Sequence, residues 1–97
     1  MPRAIILDSK DNVATLIDNG LGGEGVSLIG ADAARVSLTA DVPYGHKCAI
    51  KAIPAGGDIV KYGQVVGLAT AAIAVGDHVH VHNVESRRAR GDTKGSA

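Results

Sequence analysis

One phrase recurs three times in the second half of this chain and limits what it can fold into. Val42-Pro43-Tyr44-Gly45 precedes Cys48, Ile53-Pro54-Ala55-Gly56 precedes Ile59, and Ile73-Ala74-Val75-Gly76 precedes Val79, always with the same offset. Each phrase is an apolar anchor, a tight turn ending in glycine, and the start of a strand. The intervals between phrases are unequal, which argues against a solenoid and for three similar corners in one compact β-structure. With 97 residues there is room for one small core. That core must be built from Ala, Val, Ile and Leu, because Phe and Trp are absent and Tyr44 and Tyr62 are the only aromatics. Thirteen glycines and three prolines likewise favour short strands joined by many turns over long helices.

The rest of the chain reads the same way. Ala4–Leu7 and Val13–Ile17 flank a polar turn and form a hairpin. Gly22-Gly23-Glu24-Gly25 leads into the strand-like Val26–Ile29; no helix start follows it, which argues against a phosphate-binding loop. Arg35–Leu38 alternates as a half-buried strand. Tyr62-Gly63 marks a sharp bend, and Gly67 marks a bulge or the close approach of another backbone.

The third corner opens into Gly76-Asp77-His78-Val79-His80-Val81-His82-Asn83, which holds three of the four histidines. Successive strand residues point to opposite faces, so an extended reading puts His78, His80 and His82 on one side and Val79 and Val81 on the other. Two imidazoles two positions apart can close on one metal ion at about 2.0–2.1 Å. The third sits too far along the strand to join them, so a site would need His46 or a group from another chain. The alternative is an edge strand with imidazoles on its polar face.

Other pairs carry similar alternatives. His46-Lys47 can handle a proton and steady a carboxylate, or can be a solvated turn pair. Lys61 and Tyr62 can bind an anion or pack at a bend. Arg87, Arg88 and Arg90 can fork onto carboxylates, or belong to a soluble, mobile tail. Cys48 occupies an apolar position and reads as a small buried hydrophobe. A formal charge of zero disfavours nucleic acid and anionic membranes as partners. A lone cysteine, and the lack of an apolar run near the roughly 20 residues of a membrane span, lead to the expectation of a cytoplasmic protein.

Three motifs carry a resemblance. Asp41-Val42-Pro43-Tyr44-Gly45-His46-Lys47-Cys48-Ala49-Ile50, Ile59-Val60-Lys61-Tyr62-Gly63-Gln64-Val65-Val66-Gly67 and the histidine segment resemble, in order, the SAF domain of the altronate and galactarate dehydratase family. Asp11-Asn12-Val13-Ala14 extends the match weakly, and Cys48 stands where the family usually has Val or Ile. The resemblance implies a mostly β, single-domain β-clip over residues 1–84 with a polar tail over 85–97. It also implies the small module of a metal-dependent sugar-acid dehydratase, in several relatives a separate subunit that works with a large catalytic one. Glu85 to Asp92 is similar to the tail of free-standing small subunits, and the large domain would begin beyond this chain.

The histidine segment fits the altronate and sulfolactate branches better than the galactarate branch. On this reading His46 and Lys47 are the catalytic candidates, His80 and His82 the metal candidates, and Lys61, Tyr62, Asn83, Arg87 and Arg90 the substrate contacts. The partners are the large subunit, an anionic sugar acid, a divalent iron, manganese or magnesium ion shared with that subunit, and a second copy of the chain, since so small a core invites association. The alternatives are the small subunit of a sulfolactate sulfo-lyase and a non-catalytic binding or docking module.

Overall fold

The computed structural model describes residues 1–31 and 34–86. Among them lie nine strands and no helix: β1 (Arg3–Ile6), β2 (Val13–Leu16), β3 (Gly25–Gly30), β4 (Arg35–Ser37), β5 (Lys47–Ala49), β6 (Asp58–Lys61), β7 (Gln64–Ala69), β8 (His78–Val79) and β9 (Val84–Glu85). Six form one sheet in the order β4-β3-β1-β2-β5-β8 and three form a second, β6-β7-β9. The β1–β2 hairpin is present with Ala4 opposite Leu16, and β3 adds parallel to β1. Short, sharply turned strands in two sheets are the β-clip that the resemblance implies.

The corners recur four times, not three. Leu21–Glu24, Pro43–His46, Pro54–Gly57 and Ala74–Asp77 are each closed by an N–H to C=O bond of 2.8–3.1 Å. Each has a positive-φ glycine in third position: Gly23 (90°), Gly45 (83°), Gly56 (82°) and Gly76 (91°). That combination defines a type II turn. In every corner the glycine N–H donates to, and the next residue's carbonyl accepts from, one buried partner: Leu38, Leu16, Ala69 and Ala49 respectively. The anchors then pair, Gly20 with Val42 and Ile53 with Ile73. The first corner escapes the sequence pattern because its anchor is Gly20, where a Cβ would come within 2.5 Å of Leu38 Cδ1.

Alternation in β2, β5 and β8 divides the core in two. Ala14 and Cys48 face a cluster with Ala4, Ile6, Leu16 and Val26. Val13, Ala49 and Val79 face the other, with Ile53, Ile59 and Ile73. Burial of Cys48 pushes its thiol up to about 11, as suits a packing residue. In the smaller sheet Tyr62 (φ 53°) and Gly63 (76°) turn β6 into β7 with both central residues left-handed, as a type I′ hairpin requires. A bulge breaks the register beside Ile59 and Val60. At Gly67 a Cβ would meet Glu85 O at 2.9 Å, so a side chain there would obstruct β9.

The histidine segment is a strand for only two residues. After Val79 it turns, because the Asn83 side chain offers hydrogen bonds that compete with a ladder. Its Oδ1 accepts from the His80 N–H at 3.0 Å, its Nδ2 donates to the His78 carbonyl at 2.9 Å, and the Asn83 N–H donates to the His80 carbonyl at 3.1 Å. Val79 is therefore fully buried, whereas Val81, expected on the same apolar face, is 81% exposed at the turn.

Candidate functional site

Two elements bring the imidazoles together. His46 is the last residue of the second corner, where its N–H donates to the Pro43 carbonyl and its own carbonyl accepts from the Leu16 N–H. His78 opens β8 directly opposite Cys48 of β5, two residues along from His46. His46 Nδ1 and His78 Nε2 are 2.8 Å apart, so one ring donates to the other. His80, swung back by the Asn83 turn, stacks on His46 with centroids 3.9 Å apart and planes at 18°. One ligand nitrogen each from His46, His78 and His80 lie within 4.8 Å of one another. His82 is exposed and touches only the edge of this group, its ring 5.1 Å from that of His78 and tilted by 38°.

Lys47 stands beside them at the start of β5, paired across the sheet with Thr15 and Val79. With His80, Val66, Val81, Val84, Glu85 and Ser86 it lines an open cavity of about 340 Å³. The group is electropositive, and its members suppress one another's charge. Burial, then repulsion by Lys61, holds the Lys47 ammonium below its ordinary range. His78 is lowered by burial and then by His82, His46, His80 and Lys47. His80 is lowered by desolvation, then by His46, Lys47 and His82. An imidazole in its neutral form can accept a proton and ligate metal.

The remaining candidates are placed differently. Lys61 ends β6 near enough to Lys47 to repel it, with its ammonium 5.0 Å from the ring centroid of Tyr62. Tyr62 itself is at the hairpin tip. The Asn83 amide is engaged at both ends by the backbone of the histidine turn, where it positions His78 and His80. Arg87 and Arg90, and the tail beyond Ser86, lie outside the described residues.

Sequence reasoning did not count His78 among its metal candidates, although the alternation contains it. The β5–β8 pairing sets His78 beside His46, and the turn after Val79 swings His80 onto the same group. It also gave no role to Asp11, a buried carboxylate that accepts from the backbone of Leu7, Asp8 and Gly63. Nor did it find Glu85 and Ser86, which line the cavity. Among the described residues no helix is long and apolar enough to cross a membrane.

Residues 2–87 match the family model of the altronate/galactarate dehydratase SAF domain. The altronate dehydratase of Escherichia coli is 40% identical over 82 residues, which cover 84% of this chain and 16% of that protein. The alpha subunit of the (2R)-sulfolactate sulfo-lyase of Paracoccus pantotrophus is 43% identical over 54 residues, covering 56% of this chain and 81% of the subunit. The galactarate dehydratase of Escherichia coli is 39% identical over 81 residues, covering 77% of this chain and 14% of that enzyme. The chain thus spans about a sixth of the dehydratases it matches and most of the sulfo-lyase subunit. The chain belongs to the altronate/galactarate dehydratase SAF domain family.

Proposed function

We propose that this chain is the small component of a cytoplasmic, metal-dependent sugar-acid dehydratase, with altronate as substrate, and that it works with a large catalytic component. The observation that carries this reading is the cluster of His46, His78 and His80 beside Lys47 at an open cavity, in a domain whose family includes such enzymes. Dehydrating an aldonate removes a weakly acidic proton next to a carboxylate and expels hydroxide. Lys47 is the group that meets the substrate carboxylate, and an imidazole of the cluster is the group that moves the proton. Lys61 adds positive potential behind Lys47.

A divalent ion would stabilise negative charge developing on the substrate. The donors here are imidazole nitrogens, which suit iron and serve manganese or magnesium less well, since both favour oxygen ligands. A second reading is the alpha subunit of a sulfolactate sulfo-lyase. It is supported by the match to 81% of such a subunit's length. The experiment is to assay altronate and sulfolactate with this chain, the large component and their mixture, with ferrous ion added. Altronate turnover in the mixture alone is expected. Turnover of sulfolactate instead would favour the second reading, and full activity of the large component by itself would reduce this chain to a docking module.

A further inference from the structure

We propose that His46, His78 and His80 form a transition-metal site that this chain fills by itself, without a ligand from its partner and without His82. Two nitrogens bound to one ion at about 2.0–2.1 Å lie about 3 Å apart. One nitrogen from each of the three rings already lies within 4.8 Å of the others, and His46 Nδ1 and His78 Nε2 are 2.8 Å apart. The rings are stacked, with planes 9–23° apart, so ligation requires them to turn about their side-chain torsions until the lone pairs converge on one ion, a change in side chains that already share one side of the β5–β8 pair.

The backbones that carry the rings are fixed from within the chain. His46 is held by the hydrogen bonds of its corner to Pro43 and Leu16. His78 and His80 are held by both ends of the Asn83 amide. The pairing of β5 with β8, Lys47 opposite Val79 and Cys48 opposite His78, sets the two elements against each other.

A set of three imidazole nitrogens also defines the class of ion. Imidazole favours iron, cobalt, nickel, copper and zinc over magnesium and calcium, which take oxygen. Three protein ligands leave at least one coordination position open, the pattern of catalytic and not structural sites. His80 and Lys47 both line the cavity beside the cluster, so an oxygen ligand entering there would meet the ion and an ammonium together. The site stands on this chain's geometry and is independent of which acid the assembled enzyme uses.

The test is titration of the purified chain with cobalt(II), followed by visible d–d absorption and by equilibrium dialysis with elemental analysis. One equivalent of cobalt should bind and resist displacement by millimolar magnesium. His46→Ala, His78→Ala and His80→Ala should each weaken binding at least tenfold, and His82→Ala by less than about twofold. Thermal melts of the apo variants show whether each folds. For any that does not, the wild-type imidazole nitrogen resonances, with zinc replacing cobalt, give the ligands directly: shifts at His46, His78 and His80 but not His82. Failure to bind one equivalent, displacement by magnesium, or loss in His82→Ala equal to that in the other three would each overturn the proposal. The readout is metal uptake, so an inactive mixture in the dehydratase assay leaves it standing, and an active mixture does not establish it.

Discussion

Asp11 Oδ1 accepts a hydrogen bond of 2.7 Å from the backbone N–H of Gly63, 52 positions away in sequence, and so ties the tip of the β6–β7 hairpin to the turn after β1. The other carboxylate oxygen accepts from Leu7 and Asp8 at 3.1 and 3.3 Å. Burial alone would raise this carboxyl. The N–H groups of Gly63, Leu7, Asp8 and Tyr62 outweigh that and hold it below its ordinary range. Asp11→Ala leaves several buried donors unmet and should cost about 3 kcal/mol in urea unfolding. The pH dependence follows from the direction of the shift. The folded carboxyl titrates below the unfolded value of about 3.9, so its contribution is complete above that value and is lost as pH falls through the folded one. Asp11→Ala should therefore flatten the acid limb of the stability profile below about pH 4; an unchanged limb would assign acid sensitivity elsewhere.

Gly76 and Gly45 hold the same place in two corners, at φ 91° and 83°, but in different surroundings. A Cβ on Gly45 meets nothing within 4 Å, whereas one on Gly76 would lie 2.0 Å from the Ser37 carbonyl oxygen. Gly45→Ala adds only left-handed strain, about 1–2 kcal/mol. Gly76→Ala adds a backbone collision and should cost at least about 3 kcal/mol, or prevent folding. Chemical denaturation of both variants checks this, and equal losses would mean the fourth corner yields more easily than its packing implies.

The corners were legible because each demands a glycine of one handedness at a fixed distance from an apolar anchor. Where Gly20 replaced the anchor, the same turn formed with no signal that periodicity could detect. The hairpin of β1 and β2, the bend at Tyr62-Gly63 and the tight passage at Gly67 followed from local chemistry. The path after Val79 did not. His-Val alternation satisfies a strand at every residue, and the decision rests on Asn83, whose amide bonds back to His78 and His80. That amide lies just outside the alternating pattern, so the pattern put Val81 on the same apolar face as Val79 and ranked His82 with His80, whereas the structure leaves Val81 exposed and His82 at the edge of the imidazole group.

Asn83 is accordingly the residue whose loss should separate fold from site. Removing its amide in Asn83→Ala breaks two hydrogen bonds in a half-buried turn, at about 2 kcal/mol in all, and leaves β8 paired with β5. The thermal midpoint should drop by several degrees with the sheets intact by circular dichroism. The imidazole resonances of His78 and His80 should broaden or shift more than that of His46, whose corner Asn83 does not touch. Equal perturbation of all three would show that the rings, not the backbone turn, hold the cluster together.

Lys47 gives the opposite pairing of effects, because its charge opposes folding where it is proposed to serve the chemistry. The ammonium is half-buried and faces another cation, Lys61. Lys47→Met keeps the length and apolar stem of the side chain while removing that charge. Stability should rise slightly, by less than about 1 kcal/mol, since part of the repulsion is already screened by solvent. On the role proposed for Lys47, the same change would remove a charge-assisted contact to the substrate carboxylate, about 1.5–3 kcal/mol, and kcat/KM of the mixture with the large component should fall about 10- to 100-fold. Lys47→Arg should recover part of that loss, since a guanidinium also binds carboxylates. The pattern to look for is a more stable domain in a poorer enzyme, read from urea unfolding of the chain and from kinetics of the mixture. A Lys47→Met mixture with wild-type kcat/KM would remove Lys47 from the substrate site and leave its place beside the histidines as packing alone.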